Sequence, residues 1–131
     1  MQDYTKLVVW QRARALTVSI NEVARAFQPA LAPGLRAQLM RSTMSIATNI
    51  AEGSARTSRV DFARFVTIAA GSTTETEHHL TVACDLGLVE ETIAARLIDR
   101  VVEMRRMLYG LHRALLAAEA RETAPTMIVH P

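Results

Sequence analysis

Apolar residues recur at alternating spacings of four and three along four separate stretches of this chain, and only three short clusters of helix-breaking residues interrupt them. Side chains at those spacings fall on one face of an α-helix, so each stretch predicts a helix that must bury one side against others. In the first, Val9, Ala13, Leu16, Ile20, Val23 and Phe27 form the seam, and the helix is expected to stop near Phe27. The QPALAPG that follows holds two prolines and a glycine, which remove a backbone donor or favour extended conformations.

A second helix is expected from Gly34 or Leu35, with Leu35, Leu39, Ile46 and Ile50 inward and Met40, Met44 and Ala47 widening the stripe. It is predicted to end at Gly53 in the left-handed conformation that glycine adopts without a Cβ penalty. Ser58 has the character of the next N-cap, and Asp61 places a carboxylate in the positive first turn. The third helix is predicted over Arg59 to Leu86, with Phe62, Phe65, Val66, Ala69, Ser72, Thr76, His79, Leu80 and Ala83 on one broad side and Gly87 closing it. In the fourth, Leu97, Val101, Met104, Leu108, Leu111 and Leu115 step by four and three, and the periodicity fails after Ala120. The economical solution is all-α: an antiparallel, up-down-up-down four-helix bundle over residues 1–120 with a loose tail over 121–131.

With 131 residues, half of them hydrophobic, the chain suits one compact helical domain. Neither a secretory leader nor a membrane-length apolar run is visible, so a cytoplasmic location without membrane association is the expectation. Cys84 is the sole cysteine, which excludes an internal disulfide and reads as a small buried hydrophobe. Charge is uneven: residues 1–60 carry eight Lys or Arg against three acidic residues, net +5, and the remainder carries seven against ten, net −3. A basic half can serve as a nucleic-acid footprint or as the complement of an acidic face on a neighbouring subunit.

Several patterns occur together and in order: TNIAEG at 48–53; Phe62, Phe65, Ile68, Ala69, Gly71 and Ser72 at fixed spacing; Glu75 and Glu77; and Leu80, Ala83, Leu86 and Gly87. With LVVWQRA near the amino terminus and LRAQLMRS in the second helix, they resemble the four-helix-bundle family first noticed in intervening sequences of large-subunit ribosomal RNA genes. The resemblance covers roughly residues 5 to 118. It implies a small bacterial protein of four antiparallel helices, assembled as a closed ring with five subunits preferred, and it implies no enzymatic activity. It also implies a distant relation to the accessory protein of diversity-generating retroelements, which is basic and works with reverse transcriptase and nucleic acid. Thr73, Thr74 and Thr76 depart from the family pattern, where large aliphatic residues are common, as do His78 and His79. Asn49, Glu52, Gly53, Gly71, Ser72, Glu75 and Glu77 match the family motif and read as structural.

Chemistry-bearing constellations are sparse. Glu75 and His78 supply one half of a di-iron Glu-x-x-His arrangement, but no second half exists, and Glu77, His78 and His79 point in successive directions around a helix. No phosphate-binding glycine loop or nucleophile elbow is present, so no catalytic residue, cofactor, metal or small-molecule substrate is expected. The polar stripe of Gln38, Arg41, Ser45, Thr48 and Glu52, with Asn49 beside it, reads as satisfying backbone groups at a helix end or a subunit contact. Gly71 with Ser72 reads as a point of close helix approach.

Two surfaces remain as candidates. Ile98, Val102, Tyr109 and Leu116 form a second apolar row on the fourth helix, and Ile68 and Val82 lie on the third helix away from its core side. Apolar area beyond what one core requires marks an oligomer contact, so a homo-oligomer is expected. Arg36, Arg41, Arg56, Arg59 and Arg64 flank one turn and form a candidate surface for RNA or DNA. No tyrosine or tryptophan interleaves them for base stacking, which leaves solvated arginines or inter-subunit ion pairs as the favoured reading.

Overall fold

The computed structural model describes residues 3–124. A 3-10 turn at Tyr4–Lys6 leads into four helices: α1 (Val8–Ala24), α2 (Leu35–Ser54), α3 (Arg59–Asp85) and α4 (Glu91–Thr123). Each helix packs on the two beside it in the cycle α1–α2–α3–α4. Side-chain links fix the sense: Ser45 meets Ser72 and Ser42 meets Thr76 across α2 and α3, so one chain rises as the other falls. The fold is the expected all-α four-helix bundle. Among the described residues no helix is long and apolar enough to cross a membrane.

The core forms where the four periodic seams converge. Leu16 and Ile20 from α1, Leu39, Ile46 and Ile50 from α2, Val66 and Leu80 from α3, and Val101, Met104 and Leu108 from α4 are all buried in one cluster. Removing each such side chain from water contributes about 1.5–3 kcal/mol, which outweighs the weak intrinsic preference of any single helix.

Helix ends follow local chemistry, and three differ from expectation. The α1 helix ends at Ala24 rather than Phe27: the Ala26 and Phe27 amides donate to carbonyls three residues back, at 3.2 and 3.1 Å, so the last turn tightens. Phe27 is nevertheless buried. Gly53 is not a left-handed terminus; among the described residues only Gly34 and Gly87 have positive φ, and α2 runs through Gly53 to Ser54. The α4 helix continues past Ala120 to Thr123, where the Thr123 hydroxyl donates to the Glu119 carbonyl at 2.9 Å. Residues 125–131 of the expected tail lie outside the described residues.

Two ends are as expected. The Ser58 hydroxyl accepts from the Asp61 amide at 3.1 Å and opens α3. At the other end Gly87, with φ +76°, allows its own amide to donate to Cys84 O at 3.0 Å and the Leu88 amide to donate to Ala83 O at 2.9 Å. That is the Schellman pattern, which lets α4 begin within a few residues.

Candidate functional site

The α2–α3 seam is built from small side chains. At Gly53 an added Cβ would come within 2.7 Å of the Phe65 Cβ and 2.8 Å of the Phe62 ring, so the absence of a side chain is what lets the α3 aromatics close on α2. Farther along, Ser72 Oγ lies 2.9 Å from Ser45 Oγ, and Thr76 Oγ1 lies 3.0 Å from Ser42 Oγ. Thr73 and Thr43 are fully buried and donate to carbonyls of their own helices, at 2.6 and 2.7 Å. Such bonds within the helix satisfy a hydroxyl without a partner across the seam. The threonines that depart from the family pattern are therefore accommodated in the core, except Thr74, which is exposed beside Arg105. Asn49 donates to the Ser45 carbonyl and hydroxyl at 2.8 and 2.9 Å, while Glu52 is exposed.

Gly71 does not mark close approach. It is exposed, and nothing lies within 4 Å of the position its Cβ would take. The contact belongs to Ser72, one residue on, which faces α2. Glu77 locks α3 to α4 through Arg105 at 2.7 Å, a pairing its motif position did not reveal. Glu75 is 3.8 Å from the buried His79 imidazole. Desolvation holds His79 below the usual imidazole range, and Glu75 opposes that shift. Among the described residues no three His, Cys, Asp or Glu side chains converge as a metal would require.

The structure divides the five candidate arginines. Arg56, Arg59 and Arg64 gather at the α2–α3 turn, where Arg56 and Arg59 line a concavity of about 420 Å³ with Ser54, Thr57, Ser58, Phe62 and Leu115. All three meet carboxylates. Arg59 pairs with Glu122 and, at 3.6 Å, with Glu119; Arg64 pairs with Asp61 at 3.0 Å; and Arg56 approaches Asp61 at 3.9 Å. The Glu122 contact raises the Arg59 pKa. Arg56 and Arg64 also lie over the Phe65 ring, 4.6 and 4.7 Å from its centroid. Arg36 and Arg41, earlier on α2, are exposed and make no ion pair among the described residues. The neutralising acids Glu119 and Glu122 sit 60 and 63 residues from Arg59 in sequence, at the expected end of the fourth helix and in the expected tail, so the basic turn looked more positive than it is.

The apolar candidates are at the surface. Ile68, Tyr109 and Leu116 are 43%, 49% and 41% exposed, and Val82, Ile98 and Val102 are half-buried. Val60 and Met44 add exposed apolar area on α3 and α2. A second concavity was not anticipated by the helical periodicity. It lies between α1 and α4, holds about 300 Å³ and is lined by Arg12, Ala15, Leu16, Arg100, Glu103, Met104 and Met107. Its apolar floor belongs to the core seams, and its arginines were unremarkable among fifteen basic residues.

Comparison with known proteins agrees with this architecture. A solved structure from Bacteroides thetaiotaomicron, described as a protein with unknown function from the S23 ribosomal protein family, is similar with a TM-score of 0.72. It shares 22% identity, and the match covers 80% of this chain and 98% of that one, a likeness that shows the fold. No curated protein matches the sequence. The model of the 23S rRNA-intervening sequence proteins matches residues 5–110, which takes in most of the 3-10 turn, the three helices that follow it and most of α4. With the bundle, the α2–α3 seam and the family motif in agreement, the chain belongs to the 23S rRNA-intervening sequence protein family.

Proposed function

We propose that this protein acts as a self-associating, non-enzymatic bundle of the cytoplasm, a scaffold or assembly module in which several copies close into a ring, five being preferred. The observation that carries the reading is the outer apolar row of α4, Ile98, Val102, Tyr109 and Leu116, together with Ile68 on α3. Ile98 packs against the core that Leu97, Val101, Met104 and Leu108 help to form, whereas Ile68, Tyr109 and Leu116 remain exposed. Exposed apolar surface beyond the core favours association, and closed symmetry stops growth at a defined number. Light scattering coupled to size exclusion tests it. The expected mass is a small multiple of the 14.4 kDa chain, and Tyr109→Glu with Leu116→Glu lowers that mass while helicity is retained. A single-chain mass at micromolar concentration overturns the reading.

A second reading, an accessory protein that binds RNA or DNA, draws on Arg36 and Arg41, which are exposed and free of ion pairs among the described residues. Ring assembly would repeat both around a shared axis and raise the local positive charge. Binding of this kind weakens steeply with salt and falls in Arg36→Ala with Arg41→Ala. Failure of the unmodified protein to retard either nucleic acid at about 50 mM salt, where phosphate contacts are strongest, removes this reading and leaves the scaffold.

A further inference from the structure

The α1–α4 groove combines features that the bundle itself does not use. Its floor is apolar: Leu16 and Met104 are only 2% exposed, and Ala15 and Met107 complete the walls. Two arginines, Arg12 on α1 and Arg100 on α4, also line it and are exposed. Neither forms an ion pair among the described residues. Arg12 reaches across the groove, and its Nη1 lies 3.6 Å from the Met107 sulfur. A thioether is a weak acceptor, so this arginine is held over the opening with its strong donors still available. The one carboxylate in the lining, Glu103, is 3.6 Å from Arg106, one helical turn along α4.

We infer that this groove binds a small amphiphilic anion, an aliphatic carboxylate whose chain lies along Leu16, Met104 and Met107 while its head meets Arg12 and Arg100. Three considerations select that class. A volume of about 300 Å³ is at the lower end of the roughly 300–1,000 Å³ of ligand pockets, which admits a short acyl chain and excludes a membrane lipid. Unbranched, polarisable methionine side chains adapt to a flexible aliphatic body better than β-branched ones would. One arginine enters the lining from each helix, Arg12 from α1 and Arg100 from α4, and guanidinium matches a carboxylate bidentately.

The test uses the full chain carrying ¹³C-methyl methionine, with decanoate as the probe and decyltrimethylammonium as a control of equal chain length and opposite charge. Decanoate at low-millimolar concentration is expected to shift the Met104 and Met107 methyl resonances saturably while leaving Met40 and Met44 unchanged. The cationic control should shift none of them saturably. Arg12→Gln with Arg100→Gln should weaken decanoate binding about tenfold or more, since the carboxylate loses its charge-assisted hydrogen bonds. Ala15→Leu, which fills the groove from the α1 side, should abolish the shifts with helicity unchanged. No saturable shift with decanoate, equal binding of the cationic amphiphile, or full binding by the arginine variant overturns the proposal. So does a Met104 and Met107 response to protein dilution in place of decanoate, which would show that a second copy occupies the groove. Loss of decanoate binding leaves the self-association reading untouched, because that rests on Tyr109 and Leu116 and is measured as mass.

Discussion

The two seams at opposite sides of the bundle solve the same packing problem in opposite ways. Between α2 and α3 the contact faces include glycine, serine and threonine beside the core aliphatics and Phe62 and Phe65, the backbones close in at Gly53, and hydroxyl pairs cross the seam at Ser45–Ser72 and Ser42–Thr76. Between α1 and α4 the facing residues include Arg12, Arg100 and two methionines, and the helices leave a groove of about 300 Å³. Long side chains hold helices apart, and charged ends must remain in water. Small residues therefore make a rigid joint, whereas arginine and methionine make an accessible one. The candidate ligand site lies at the open seam.

The largest expected effect is at Gly53. Adding a single methyl with Gly53→Ala should cost about 2–3 kcal/mol despite the better helix propensity of alanine, because the new carbon meets the Phe65 Cβ and the Phe62 ring at under 3 Å. Urea unfolding measures this directly. A gain in stability would mean that the seam is looser than the structure shows. The next effect is roughly half that size. Thr76→Val keeps the volume but removes the hydroxyl beside Ser42, with an expected loss of about 1 kcal/mol. In a double-mutant cycle with Ser42→Ala, positive coupling shows that the pair acts across the seam; strict additivity would place both hydroxyls in bonds to their own helices alone.

The fold was legible because periodicity reports burial directly: Leu16, Ile20, Leu39, Ile46, Val101 and Leu108 are inward in the sequence pattern and fully or almost fully buried in the molecule. Local chemistry was legible at Ser58 and Gly87, where a cap or a turn depends on a few adjacent residues. Gly53 and Gly71 were misread for one shared reason. A glycine in sequence says only that no side chain is present, and the neighbour that decides its purpose comes from another helix. Gly53 faces Phe62 and Phe65, and Gly71 faces solvent. The basic turn was half legible. Arg56, Arg59 and Arg64 do gather there, but Glu119 and Glu122 reach Arg59 through tertiary structure. The α1–α4 groove was hidden because a void has no sequence pattern of its own.

Gly71 supplies the control for Gly53. With no atom near its Cβ position, Gly71→Ala should stabilise the protein by about 0.5–1 kcal/mol, the propensity difference alone. Two glycine-to-alanine changes, on helices that pack against each other, thus carry opposite signs. A loss at Gly71 would reveal that a second copy covers this surface in solution and would locate part of the assembly interface.

The smallest expected effect is the most informative about the open seam. Ala15→Leu adds three carbons where Gly53→Ala adds one, yet it should change stability by no more than about 0.5 kcal/mol. Leucine nearly equals alanine in helix propensity, and the groove beside Ala15 offers the new atoms apolar contact with Leu16, Met104 and Met107 without displacing them. Partial burial of the added surface favours folding, and the lost side-chain freedom opposes it at similar magnitude. Urea unfolding of this variant beside Gly53→Ala compares the two seams in one measurement. A cost above about 1 kcal/mol at Ala15 would mean that α1 and α4 close together in solution, or that a second copy fills the groove. Near-neutrality combined with loss of decanoate binding would establish that the space is present, accessible and not needed for stability, which distinguishes a ligand groove from a packing defect.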